Sequence, residues 1–259
     1  MTTPTTPAGI NVISACLFFD KMLMLSNPSV RGEKDVPGKA LMYAAGVYEL
    51  AISVHKKLPG WEFWLYVHVS SAQGVNLAEL EMNNWCKIIR TDTDLHSMPL
   101  ERFRPLFDQT VAHVLVVDTD NVLTDAIVKE TMAWMTTGMV WLVNYPTLVD
   151  GEEALPRACY LAASPARPYA KIRDCFENKQ VGEEWERDEL WLQQMLRSVP
   201  TGDHDVARSK LVMNRRTVPA PTVKGYRKRS KRALARLRDK QHKAIDVGQS
   251  GAGDSLAAQ

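Results

Sequence analysis

The sequence predicts an α/β fold, a mostly parallel, twisted sheet flanked by helices, and three observations carry that expectation. Val114-Leu115-Val116-Val117 is an unbroken apolar run that ends abruptly in Asp118-Thr119-Asp120. Such a run reads as a strand buried on both faces that delivers acids to the carboxyl edge of a parallel sheet. Apolar runs upstream of it alternate with helically spaced segments in the order β, loop, α, β, α, β, which implies right-handed crossovers between parallel strands. Turn-forming residues gather after the first strand, at the edge where open α/β sheets hold their ligands.

Each element follows from its residues. Residues 1–9 form a Thr/Pro segment expected to be disordered, and Ile10 to Phe19 is apolar enough for a central strand. The loop from Ser26 to Gly38 contains Pro28, Gly32, Pro37 and Gly38. From Lys39 to Lys57 the residues Leu41, Ala45, Tyr48 and Ile52 recur at helical spacing, Lys56 and Lys57 suit the negative helix end, and Pro59-Gly60 stops it. Glu62 to Val69 is the second strand, Asn76 to Asn84 a short helix, and Cys86 to Arg90 the third strand. A helical turn over Leu100 to Phe107 leads into the acidic strand. Beyond it Thr124 caps a helix, Asp125 sits in its first turn, and Ile127, Val128, Thr131, Trp134 and Met135 form its buried stripe, with Gly138 at its end. Met139 to Tyr145 is a further strand, followed by an irregular stretch to about Pro168 and helices over 169–178 and 183–197.

At 259 residues and 45% hydrophobic content the chain can bury one good core. The expected organisation is a catalytic-sized domain over 10–200, a linker or extension over 201–225, a basic helical tail over 226–245 and a disordered end over 246–259. Between Lys224 and Lys243 ten Lys/Arg face one Asp, a local charge of +9, so the net +2 leaves the rest of the chain at −7. The tail therefore suits weak contact with an anionic membrane surface or nucleic acid. No stretch approaches the roughly 20 apolar residues of a membrane span, and neither a basic n-region nor an apolar h-region opens the sequence, so a cytoplasmic protein is expected. Cys16, Cys86, Cys159 and Cys175 are scattered without a CxxC spacing, which argues against zinc or a redox pair.

On an extended backbone Asp118 and Asp120 would point to the same side and could face one hard cation or the diphosphate it carries. Asp92-Thr93-Asp94 repeats the pattern, but polar residues and no helix follow it. The plainer alternative is that both acids cap a turn and the next helix.

Several segments together resemble the small DxD glycosyltransferases of GT-A fold found in large DNA viruses and bacteria, the chlorovirus capsid-glycan type among them. The resemblance rests on Tyr43 and Gly46 in the first helix, Pro59-Gly60-Trp61-Glu62 and Tyr66-Val67-His68, Arg102-Phe103-Arg104-Pro105, Val117-Asp118-Thr119-Asp120-Asn121, and Asp188-Glu189-Leu190-Trp191-Leu192. These stand in the family's order over about residues 10 to 200. Val117 and His68 depart from the family's Arg and Asp at those positions. The resemblance implies a GT-A-like fold of nucleotide-diphospho-sugar transferase type. It also implies a metal-dependent glycosyltransferase that moves a sugar from a nucleotide-diphospho-sugar donor to a hydroxyl of a glycan or protein acceptor. It assigns Mn²⁺ or Mg²⁺ to Asp120 and Asp118, with Asp118 toward the ribose or metal-bound water and His204 as a candidate third ligand. Arg102 and Arg104 would contact the diphosphate, and Asp188 or Glu189 would orient or deprotonate the acceptor hydroxyl. The competing expectation is a catalytically inactive α/β domain that presents the basic tail to nucleic acid or an anionic membrane.

Overall fold

The computed structural model describes residues 9–19, 36–69, 77–82, 84–145, 156–179, 187–199 and 206–209. They belong to one compact unit, Met1–Thr217; the second, Val218–Gln259, which holds the basic tail, lies outside the described residues. The strands are β1 (Ile10–Leu17), β2 (Trp61–His68), β3 (Lys87–Thr91), β4 (Val111–Val117), β5 (Trp141–Asn144), β6 (Tyr160–Ala163) and β7 (Val206–Ser209). The helices are α1 (Val36–Lys57), α2 (Leu77–Met82), α3 (Met98–Glu101), α4 (Asp125–Trp134), α5 (Tyr169–Glu177) and α6 (Arg187–Ser198), with a 3-10 helix over Arg104–Phe107.

One seven-stranded sheet has the order β3-β2-β1-β4-β6-β5-β7. All pairings are parallel except those of β6, which runs antiparallel to both β4 and β5. The expected α/β sheet, mostly parallel and flanked by helices, is present. Two strands were not legible in the sequence. Tyr160–Ala163 lies in the stretch expected to be irregular, and Val206–Ser209 lies in the stretch expected to be linker or extension, where it pairs with β5. At four residues each, these segments carry too little alternation to register as strands.

β4 earns its central place by composition: Val114, Leu115 and Val116 are fully buried, and it pairs with β1 (Val12 opposite Val114) and β6 (Val117 opposite Tyr160). β-Branched residues on both faces suit a strand covered on both sides. On one face Val12, Trp64, Tyr66, Val114 and Val116 meet Met98 and Leu100 of α3, Leu106 of the 3-10 helix, and α5 and α6. Aromatic rings fill that layer, with Phe103 at 4.8 Å from Trp191 and Phe107 at 5.0 Å from Phe176. Tilted contacts of this kind add to the area they bury.

α1 begins at Val36, ahead of the expected Lys39, and carries His55, Lys56 and Lys57 in its last turn. Gly60, at φ +85°, lets the chain turn from the end of this helix into β2. Thr124 caps α4 as expected, its hydroxyl accepting from the Ile127 amide at 3.3 Å. Of the expected stripe, Ile127, Thr131 and Trp134 are buried, whereas Val128 and Met135 are half-buried. Tyr160 at the start of β6 donates to Glu130 Oε2 (3.0 Å), and Ser209 of β7 donates to the same oxygen (2.7 Å), which fastens α4 to two strands. Among the described residues no helix is long and apolar enough to cross a membrane.

Candidate functional site

The parallel strands β1 to β4 end on one edge, and the acidic motif sits there. β4 stops at Val117, and residues 118–121 make a turn in which the Asn121 amide donates to the Asp118 carbonyl at 3.1 Å. The two aspartates therefore do not share one face of an extended strand, because the chain has already left the sheet. Thr119, Asp120 and Asn121 are buried, and Asp118 keeps a quarter of its side chain exposed.

This turn is held from several directions. Asn121 Nδ2 donates to the Cys159 carbonyl at 2.9 Å, which ties the turn to the entry of β6. Lys57, the last residue of α1, donates to the Leu123 carbonyl at 2.8 Å and pairs with Asp125 at 2.7 Å. Gly46, buried in the middle of α1, lies flat against the turn: a Cβ there would stand 1.7 Å from the Thr119 carbonyl oxygen. A glycine inside an otherwise alanine-rich helix is a sequence signal for such close approach, and in the sequence it entered only through the resemblance.

Arg102 follows α3 and is only 4% exposed. Its Nη1 pairs with Asp118 Oδ1 and its Nη2 donates to Asp188 Oδ2 in the first turn of α6. Three of the residues singled out in the sequence thus meet in one ion triad. Burial works against the guanidinium's charge more than any other single influence, but Asp188, Cys16, Glu189 and Cys159 together outweigh it, so the Arg102 pKa lies above its ordinary value. Arg102 Nε is buried without a partner among the described residues. Cys16, at the end of β1, feels both Arg102 and Asp188; burial pushes its thiol up to about 11, so it stays protonated and inert at neutral pH.

Glu189 is half-buried beside Asp188, and its amide donates to Asp188 Oδ1 at 3.2 Å. Burial, then the charge and hydrogen bond of Asp188, push its carboxyl up to about 8, while Arg102 and Arg157 pull the other way. A carboxyl with that proton affinity exchanges a proton near neutral pH, as a general acid or base requires.

Asp120 Oδ1 is buried and has no hydrogen-bond partner among the described residues. A buried oxygen left without a partner costs ~1–3 kcal/mol, more when it is charged, a cost that a cation or a donor from a ligand would remove. Among the described residues no three His, Cys, Asp or Glu side chains cluster as a complete metal cage. Mg²⁺ and Mn²⁺ sites that act on phosphates need only one or two carboxylates, with phosphate oxygens and water for the rest. The donor set fits such an ion in that way. His204, the candidate third ligand, lies outside the described residues.

Arg104 is not brought into this cluster. It pairs with Glu101 through Nε at 2.5 Å and Nη2 at 3.0 Å, and its guanidinium lies 5.1 Å from the centre of the Phe176 ring. It lines a separate groove of about 670 Å³ with Trp64, Tyr66, Lys87 and Arg173. Asp94, in the second acidic pair, spends its carboxylate on the Ser97 amide at 3.0 Å, a local turn.

No family model matches the sequence, and no curated protein matches it. Among solved structures the chain is similar to Staphylococcus aureus TarS 1–349 in complex with UDP, with a TM-score of 0.48, 11% identity, and coverage of 79% of this chain and 59% of that one. It is also similar to the 4-diphosphocytidyl-2C-methyl-D-erythritol synthase of Anaerococcus prevotii, with a TM-score of 0.46, 10% identity, and 91% and 100% coverage. A glycosyltransferase involved in glycosylation of the major capsid of PBCV-1 gives a TM-score of 0.43, 8% identity, and 77% and 81% coverage. At these scores the likeness carries no weight for function.

Proposed function

We propose that the chain is a glycosyltransferase that uses a nucleotide-diphospho-sugar donor and a hydroxyl acceptor on a glycan or protein. The observation that carries this reading is the buried oxygen of Asp120, without a partner among the described residues, in a turn whose other aspartate is bridged through Arg102 to Asp188. Carboxylates on that edge suit a ligand that arrives with its own cation and phosphates. The ordered sequence motifs support the same reading, since Asp118, Asp120, Arg102, Asp188 and Glu189 all belong to them.

In this reading Asp120 would hold a Mn²⁺ or Mg²⁺, with Asp118 kept beside it by Arg102, and that ion when bound would neutralise the diphosphate of the donor. The remaining work falls to the chain. Arg102 fixes the angle between the turn and α6. Glu189 accepts the proton of the acceptor hydroxyl as that oxygen bonds to the anomeric carbon and the bond from that carbon to the diphosphate oxygen breaks. Fixed groups placed in this way need little rearrangement during the reaction.

The direct test is calorimetric titration of nucleotide diphosphates and their sugars, with and without Mn²⁺, on the intact chain and on Asp120→Ala. The expected result is metal-dependent binding of one nucleotide class that weakens by about 100-fold, roughly 2.7 kcal/mol, in the variant. Absence of nucleotide binding under every metal condition defeats the reading.

Glu189 adds a pH prediction. A base must be deprotonated in the free enzyme, so kcat/KM is expected to rise with pH and level off above about 8. Glu189→Gln should remove that limb and lower kcat by ~10²-fold or more. Stability gives an independent check. A carboxyl whose folded pKa is raised binds its proton more tightly folded than unfolded, so its ionisation cost is absent well below the unfolded value and grows as pH rises toward the folded one. E189Q should therefore melt with the parent near pH 4 and above it at pH 8 and beyond; equal melting at both pH values would contradict the assignment.

A further inference from the structure

Two of the four carboxylates at this edge are already neutralised from within. Arg102 is buried and engages Asp118 with one terminal nitrogen and Asp188 with the other. The Asp188 side chain is 12% exposed, so water screens that pair little. Asp120 differs: its buried Oδ1 has no partner among the described residues. A divalent ion that approached this edge would meet the Asp120 oxygen directly, and it would have to displace a fixed guanidinium to gain Asp118 or Asp188. Displacement leaves a buried Arg without its partners, which costs several kcal/mol.

Resting on the function proposed above, we propose that Arg102 is the resident cation of this site: it withholds Asp118 and Asp188 from a divalent ion, leaves Asp120 as the carboxylate that receives one, and so makes metal binding depend on the diphosphate of the nucleotide. The oxygens that the protein withholds, the nucleotide supplies. Metal and nucleotide then bind with positive linkage, and each raises the affinity of the other by the same factor. If Arg102 were only a structural tie between α3, the acidic turn and α6, removing its charge would loosen the fold without creating affinity for metal. As the resident cation, its removal frees carboxylates that a divalent ion can use.

The experiment measures Mn²⁺ binding by electron paramagnetic resonance of the free ion, first without nucleotide and then with saturating uridine or guanosine diphosphate. It uses the full chain and the variants Arg102→Met, Asp118→Asn and Asp120→Asn. The parent is expected to bind Mn²⁺ about 100-fold more tightly with nucleotide than without it. Arg102→Met should bind Mn²⁺ alone at least ~10-fold more tightly than the parent does, which narrows that gap. Asp118→Asn should keep nucleotide-dependent Mn²⁺ binding within about 3-fold of the parent, whereas Asp120→Asn should lose it. The proposal is overturned if the parent binds Mn²⁺ equally well with and without nucleotide, if folded Arg102→Met shows no gain, or if Asp118→Asn loses Mn²⁺ as completely as Asp120→Asn. Should Arg102→Met fail to fold, the comparison of the two aspartate variants decides alone. Nucleotide binding that persists without linkage to Mn²⁺ defeats only this inference; no nucleotide binding at all defeats the proposed function and this inference with it.

Discussion

Gly46→Ala is expected to destabilise the protein and to cripple the nucleotide binding proposed above, although the same change in most helices is stabilising. Alanine in place of a mid-helix glycine ordinarily gains about 0.5–1 kcal/mol from reduced backbone freedom and better helix propensity. Here the new methyl would sit 1.7 Å from the Thr119 carbonyl oxygen and 2.7 Å from its carbon, so backbone must give way. Forced repacking of a filled interior costs about 1–3 kcal/mol and sometimes more, which exceeds the gain. α1 is clamped to the same segment by Lys57 at Leu123 and Asp125, so it cannot simply slide outward at that end. The acidic turn must move instead, and a displacement near 1 Å at reacting groups can cost ~10²-fold in rate. Thermal melting and nucleotide titration of the variant measure both effects. A G46A protein that melts no lower than the parent and binds nucleotide equally well would refute the close-packing account.

Arg167 carries the other large effect, this time on stability alone. It is 2% exposed and among the described residues has no carboxylate hydrogen-bond partner; it donates instead to backbone carbonyls, including Leu106 (2.6 Å), Ser164 (2.8 Å), Val111 (2.8 Å) and Ala112 (2.5 Å). Its guanidinium also lies 4.4 Å from the centre of the Tyr169 ring. Burial pulls its pKa down to about 10, which still leaves it charged at neutral pH. The fork joins the loop after β6 to the 3-10 helix and to the start of β4. Arg167→Met would strand several carbonyl oxygens at once, and a loss of about 3–5 kcal/mol is expected, the scale of breaking a buried charged network. Arg167→Lys should recover only part of it, because an ammonium offers three donors on a point charge against the five of a planar fork. Denaturant unfolding of both variants tests this; a change below about 1 kcal/mol for Arg167→Met would contradict the role.

These two residues also show where sequence reading stops. The strands could be anticipated where a segment is long and strongly patterned, as in β1, β2 and β4, because an apolar run or a clean alternation leaves few other structures open. β6, with the sequence Tyr160-Leu161-Ala162-Ala163, and β7, with Val206-Ala207-Arg208-Ser209, lack that length. Their place is fixed by pairing with neighbours distant in sequence, a tertiary effect that local pattern does not encode. The acids at the end of β4 were legible because an apolar strand that stops on Asp is conspicuous. Their geometry was not, since the alternation argument holds only while the chain stays extended, and the chain turns at Asp118. Arg102 was legible as a residue of the motif, but its bond to Asp188 joins residues far apart in the chain and leaves no local trace. Arg167 stands among Ser164, Pro165, Ala166 and Pro168, where an arginine reads as solvent-facing; nothing nearby signals six carbonyl partners.

The bond between Arg102 and Asp188 spans 86 residues, which has a consequence for how the chain acquires its chemistry. Contacts between neighbours in sequence close early in folding, whereas those that span most of a domain wait until the loop between them has been ordered. The triad of the acidic turn, the arginine and the first turn of α6 therefore closes a long loop, one that contains β4, β5, β6 and α5. During synthesis a chain that has emerged only as far as β6 has the aspartates but not the partner that completes the triad. The edge acquires its final charge pattern only when α6 has joined it.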